Sequence, residues 1–89
     1  MGVYHLVWND VAKQRDVEIH VNYRLTDDAV QIEKLTPTKV TLYDESLSVV
    51  KILPVTRPTG QRLLTQAYEN SQTGGNQLED QILEHHLAV

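Results

Sequence analysis

Between Val17 and Leu25, apolar and polar positions alternate without a break. Val17, Ile19, Val21, Tyr23 and Leu25 hold one phase, and Glu18, His20, Asn22 and Arg24 hold the other. A period of two is the mark of a strand that buries one face. The apolar phase is β-branched or aromatic, as a pleated, half-buried surface favours. The stretch "TDDA" follows as a turn, because Asp side chains hydrogen-bond their own backbone. "VQIE" then directs Val30 and Ile32 inward, and the two segments read as a hairpin.

"KLTPTKVTLYD" continues the hairpin, with Val40 and Leu42 alternating against Lys39, Thr41 and Tyr43. Pro37 has no amide hydrogen, so it marks a strand start, an edge or a bulge. After the turn "DES", the run "LSVVKILPV" is apolar on both phases, through Val49, Val50, Ile52 and Leu53. Such a run predicts a strand buried on both faces or central in the sheet. The opening "VYHLVW", residues 3–8, is a further candidate strand.

After Pro58 the period changes. Leu63, Leu64, Ala67 and Tyr68 recur at helical spacing, with Gln61, Arg62, Thr65, Gln66 and Glu69 opposite. Thr59 is the expected N-cap. "TGGN" would end this helix, since glycine accepts a left-handed terminus. Asn76 would cap a second helix, "QLEDQILEHHLA", with Glu79 and Asp80 in its first turn and His85 and His86 in its last. Both placements suit the helix dipole. Strands first and helices last predict an α+β fold. The expectation is an antiparallel meander of four to five strands, followed by two C-terminal helices packed on one face, in a single domain over residues 1–89.

Composition narrows the function. Eighty-nine residues leave little room for a deep cleft except between subunits. A homodimer through the sheet or the C-terminal helix would help so short a chain bury apolar surface. There is no cysteine, which excludes thiol catalysis and thiolate metal sites and favours a reducing compartment. No leader-like pattern opens the chain, and no apolar run approaches membrane-spanning length. A soluble, cytoplasmic protein is expected. Twelve acids against eight bases argue against nucleic acid, whose binding rests on neutralising phosphates.

The paired histidines near the end invite a metal reading, and helical geometry argues against it. At about 100° per residue from Leu78, His86 falls near 80°, beside Glu79 inside the apolar arc, while His85 falls near 340°. The two rings diverge, and neither has a ligand at i−3 or i−4, where a helical pair would need one. No metal ligand and no cofactor is assigned.

Two other groups carry candidate chemistry. Lys51, Arg57, Thr59, Gly60 and Arg62 gather around the first helix start, where free amides and arginines attract anions. Their spacing matches neither a phosphate-binding loop nor a dinucleotide fingerprint. The polar phase Glu18, His20, Asn22 and Arg24 would form the open face of a sheet covered on one side only. Trp8, with Tyr4 and Tyr43, would add aromatic weight there, as interfaces favour. No catalytic serine motif and no carboxylate pair in an apolar setting is legible.

The leading reading is a small non-catalytic module for an unnamed protein partner, using Trp8, Glu18, His20, Asn22 and Arg24. The next is an anion- or nucleic-acid-binding accessory domain at Lys51, Arg57 and Arg62. The third is a small enzyme with a site at a subunit interface.

Overall fold

Four strands in the order β1-β2-β3-β4, each antiparallel to the next, form one sheet, and two C-terminal helices follow it. The computed structural model describes residues 2–27, 29–72 and 77–87, with side chains from 78 to 85 in the last segment. The strands are β1 (Gly2–Asp10), β2 (Arg15–Thr26), β3 (Ala29–Tyr43) and β4 (Val49–Pro54). The helices are α1 (Pro58–Ser71) and α2 (Gln77–Leu87), and both pack chiefly over β3.

The alternation in β2 sets the two faces. Val17, Ile19, Val21 and Tyr23 are buried and form the core with Val40, Tyr68, Leu78 and Ile82. Neighbouring strands put apolar residues opposite them: Tyr4 faces Val21, Leu6 faces Ile19 and Trp8 faces Val17 across β1–β2. Directly opposed residues of an antiparallel pair share a face, so this side of β1 also lies under the helices.

"VQIE" and "KLTPTKVTLYD" are one strand of fifteen residues, not two. Two register shifts keep it continuous. Glu18 pairs with Lys39 but Ile19 with Pro37, and Asn22 pairs with Lys34 but Tyr23 with Ile32. Each shift inserts one residue, Thr38 and Glu33, and so restores the inward phase on β3. Pro37 occupies the first bulge, fully buried, where its missing amide hydrogen leaves the ladder intact. Thr38 Oγ1 donates to the Glu18 carbonyl at 3.2 Å and ties the bulge down.

Three tight connections join the strands. A 3₁₀ turn, Val11–Lys13, closes on Gln14 at φ 52°. Thr26 stands opposite Ala29 across the second turn, with Asp27 at φ 46°. In the third, the Asp44 carboxylate accepts the Ser46 amide at 2.9 Å, the Ser46 hydroxyl at 2.7 Å and the Ser48 amide at 3.0 Å.

Three further expectations need correction. β4 is neither central nor buried: it is the edge strand, and all six of its residues are exposed. The last strand of a meander falls at an edge, and the helices turn back over β3 instead of covering it. α1 is capped by Arg57, not Thr59, with Pro58 at its first position and no side-chain cap. The fixed φ of proline starts the helix without an N–H to satisfy. Leu63 also leaves the buried stripe and is exposed, whereas Leu64 and Tyr68 reach the core. The expected cap at Asn76, the "TGGN" stop and the side chain of His86 lie outside the described residues.

Candidate functional site

With both helices on one side, no described element covers the other face of the sheet. β2 presents Glu18, His20, Asn22 and Arg24 to it, as the alternation requires. The first partners come from β1: Val7 stands opposite Glu18, His5 opposite His20 and Val3 opposite Asn22. On the other side, β3 sets Lys39 opposite Glu18, Thr36 opposite His20 and Lys34 opposite Asn22.

The centre of this face is a histidine pair. The rings of His5 and His20 meet edge to face, with centroids 4.5 Å apart and planes at 84°. Both residues are exposed, and Val3 and Val7 flank His5 along β1 with about half their surface open. Ion pairs across β2–β3 frame the histidines. Lys39 Nζ lies 2.8 Å from the Glu18 carboxylate, and an Arg24 guanidinium N–H donates to Glu33 at 2.7 Å. Exposed pairs of this kind contribute little stability, about 0–1 kcal/mol each, and they offset the charges of Glu18 and Arg24 beside the histidines, while Lys34 opposite Asn22 adds a further cation to the face. Farther along the same face, the Tyr43 hydroxyl donates to Asp16 at 2.7 Å. That hydrogen bond, with partial burial and the Asp16 charge, raises the Tyr43 pKa above 10.0.

Trp8 is not part of this surface. It lies on the helix-covered face, where its ring meets Tyr68 edge to face at 5.6 Å. Tyr4 also faces the helices and packs against His85 of α2 at 5.4 Å. Of the three aromatics considered for the open face, only Tyr43 is on it. The residues that sequence reasoning passed over are His5, Val3 and Val7. A signal existed in β1, where His5 shares a phase with two valines, but both phases of that strand are apolar and neither names the outer one.

The residues around the α1 start divide between surfaces. Arg57 and Gly60 line one cleft of about 460 Å³ with Arg15, Leu53, Leu63 and Leu64. Arg62 lines another with Lys34, Gln66 and Glu69. Thr59 is exposed in the first turn of α1, and Lys51 stands in β4 opposite Leu42. In the first cleft Asp10 already neutralises Arg15, whose Nε donates to its carboxylate at 2.8 Å.

A third recess, lined by Ile32, Leu35, Tyr68, Leu78 and Glu79, lies between β3 and the helices. Burial raises the Tyr68 phenol, and the nearby Glu79 carboxylate and then Tyr4 add to the shift. Among the described residues, no three of His, Cys, Asp or Glu come together as metal ligands, and no helix is long and apolar enough to cross a membrane. The chain matches no family model, no curated protein and no solved structure in the three comparisons made.

Proposed function

We propose that this protein is a small non-catalytic binding module that engages a protein partner through the uncovered sheet face centred on His5 and His20. The observation that carries this reading is the composition of that face: an exposed aromatic pair, flanked by Val3 and Val7 and bordered by two ion pairs across β2–β3. Protein interfaces set apolar and aromatic groups beside polar ones, and here two exposed valines of the edge strand β1 lie beside the histidine pair. A rigid sheet also presents these side chains with little ordering cost on binding.

The test is affinity capture from native lysate with three forms of the chain. The unaltered protein should retain a partner. Val7→Lys with His20→Asp, on the open face, should lose it, and Arg62→Glu, on α1, should keep it. Capture that survives the face variant, or a repeated blank with the unaltered chain, counts against the reading.

The alternative, an anion- or nucleic-acid-binding accessory domain, draws on Arg57 and Gly60 sharing a cleft with Arg15. It is weakened by the Asp10 carboxylate on Arg15 and by the separate surface that Arg62 occupies. Oligonucleotide binding measured at low salt, where phosphate attraction is strongest, separates the two. Absence of binding there removes the alternative.

A further inference from the structure

Among the described residues no strand pairs with the outer edge of β4, and the backbone polarity of that edge follows from the ladder. The Val55 amide donates to the Thr38 carbonyl at 2.9 Å, and Lys39 stands opposite Pro54. In an antiparallel sheet this makes Lys39–Pro54 a non-hydrogen-bonded pair, and alternation makes Thr41–Ile52 another. The N–H and C=O of Ile52 therefore point away from β3, as does the carbonyl of Pro54. The strand around them is apolar on both phases, with Val50 64% and Ile52 55% exposed. Just before it, Leu47 is held at φ 65° and is 74% exposed. A leucine in the left-handed region with an open side chain costs stability without contributing to the core.

We propose that a second copy of this chain pairs with β4, antiparallel about a twofold axis, so that two four-stranded sheets become one of eight strands. This rests on the reading of the chain as an interaction module and names a partner for a different surface from the histidine face.

Two features point to a copy of the same chain. The first is self-complementarity. An antiparallel twofold pair must oppose residues of one face, and the register that centres on Ile52 does so with no like charges set directly opposite each other. Ile52 meets its counterpart through two reciprocal N–H···O bonds and Lys51 meets Leu53, while Val50, the extra residue of the β4 bulge opposite Leu42 and Tyr43, falls at the end of the junction beside Pro54. Pro54 needs only its carbonyl at the junction. The neighbouring register, centred on Lys51, would set two ammonium groups against each other, which is unfavourable.

The second feature is charge. Antiparallel pairing brings the start of one β4 beside the end of the other. The exposed turn before β4 carries Asp44 and Glu45, and the exposed segment after it carries Arg57. Acid thus meets base at both ends of the junction, which offsets the repulsion between two chains of net charge −4. Exposed apolar edge strands otherwise recruit neighbours without control. A closed pair covers both of these edges at once.

Sedimentation equilibrium of the full chain, from micromolar to submillimolar concentration, tests this. A reversible dimer is expected. Ile52→Pro removes an N–H that the β3 ladder does not use, so it should weaken the dimer at least about tenfold. Ile52→Lys should do the same by opposing two charges. Both should retain the circular dichroism of the monomer. Glu45→Lys should weaken association, and Arg57→Glu added to it should restore it. A chain that stays monomeric throughout overturns the proposal, and so does a dimer that both folded Ile52 variants leave unchanged. If Val7→Lys with His20→Asp abolishes partner capture while the dimer is absent, only this inference falls. If the dimer forms and capture fails, only the histidine-face reading falls.

Discussion

Arg15 is held by Asp10 and Trp8 together. Its Nε donates to the Asp10 carboxylate at 2.8 Å, and its guanidinium carbon lies 5.8 Å from the Trp8 ring centroid. Asp10 and Arg15 stand directly opposite each other at the end of the β1–β2 ladder, on the helix-covered face. Their side chains are only 11% and 16% exposed, so this pair is less screened than the ion pairs of the open face. Asp10→Ala leaves a largely buried guanidinium without its carboxylate. A loss of about 1.5–3 kcal/mol is expected, the range for hydrogen bonds to charged groups. Urea denaturation measures it, and a double-mutant cycle with Arg15→Met isolates the pair. A coupling near zero would show that cation–π and apolar contacts alone hold Arg15.

Ile82 is fully buried and seats α2 against the sheet. Ile82→Ala should cost about 2–5 kcal/mol, as large-to-small changes in a core do. That is a large part of the 5–15 kcal/mol typical of a whole domain. Leu63→Ala, on the exposed side of α1, should stay within about 0.5 kcal/mol. Comparable losses at the two positions would contradict the packing described for the helices.

Leu47 and Gln14 both adopt positive φ, at 65° and 52°. A side chain there costs roughly 1–2 kcal/mol, a cost glycine avoids. Part of that gain is lost to the greater freedom of glycine in the unfolded chain. Leu47→Gly and Gln14→Gly should each raise stability by about 0.5–1 kcal/mol. Thermal unfolding checks both. Only Leu47→Gly should also weaken the β4 dimer, which separates the apolar side chain from the turn geometry.

Alkaline pH should destabilise the fold. The Tyr68 phenol is raised from 10.0 by burial and then by Glu79 and Tyr4, and the Tyr43 phenol by its hydrogen bond to Asp16. Folding therefore favours the neutral phenols. Their contribution is complete below the unfolded value near pH 10 and is lost as pH rises through the folded values. Thermal melts from neutral to strongly alkaline pH should show a declining midpoint. Tyr68→Phe should flatten that decline, and an unchanged slope in Tyr68→Phe would remove Tyr68 as its source.

Acid should act through the third turn. The Asp44 carboxyl is lowered from 3.8 by the Ser46 hydroxyl, then by the Ser48 and Ser46 amides. A depressed carboxyl stabilises the fold above its unfolded value, and that stability is lost as pH falls through the folded one. Asp44→Ala should therefore lower stability at neutral pH and shrink the loss on acidification. An acid transition identical to that of the unaltered chain would place its origin elsewhere.

Legibility in the sequence followed the number of faces each element buries. β2 buries one, so Val17 to Tyr23 declared both the strand and its orientation. β1 carries apolar residues on both phases. Only pairing with β2 decides that Trp8 turns toward Tyr68 while Val3 and Val7 turn outward. In β3 the bulges at Thr38 and Glu33 break the period of two, so one long strand looked like two short ones. The first helix begins where Pro58 can start it, not where Thr59 could cap it.

β4 shows the limit most clearly. A run such as Val49 to Leu53 looks the same whether a sheet or another chain is to cover it, because burial is a property of the assembly. Composition and periodicity by themselves determined the α+β order, the meander and the polar row Glu18, His20, Asn22 and Arg24. These follow from local backbone geometry and from the cost of exposing apolar surface along one element. The tertiary structure alone decided that His5 meets His20, that Asp10 and Trp8 hold Arg15, and that β4 lies at the edge. Those relations join residues on different strands, so they depend on register and on which face the helices cover.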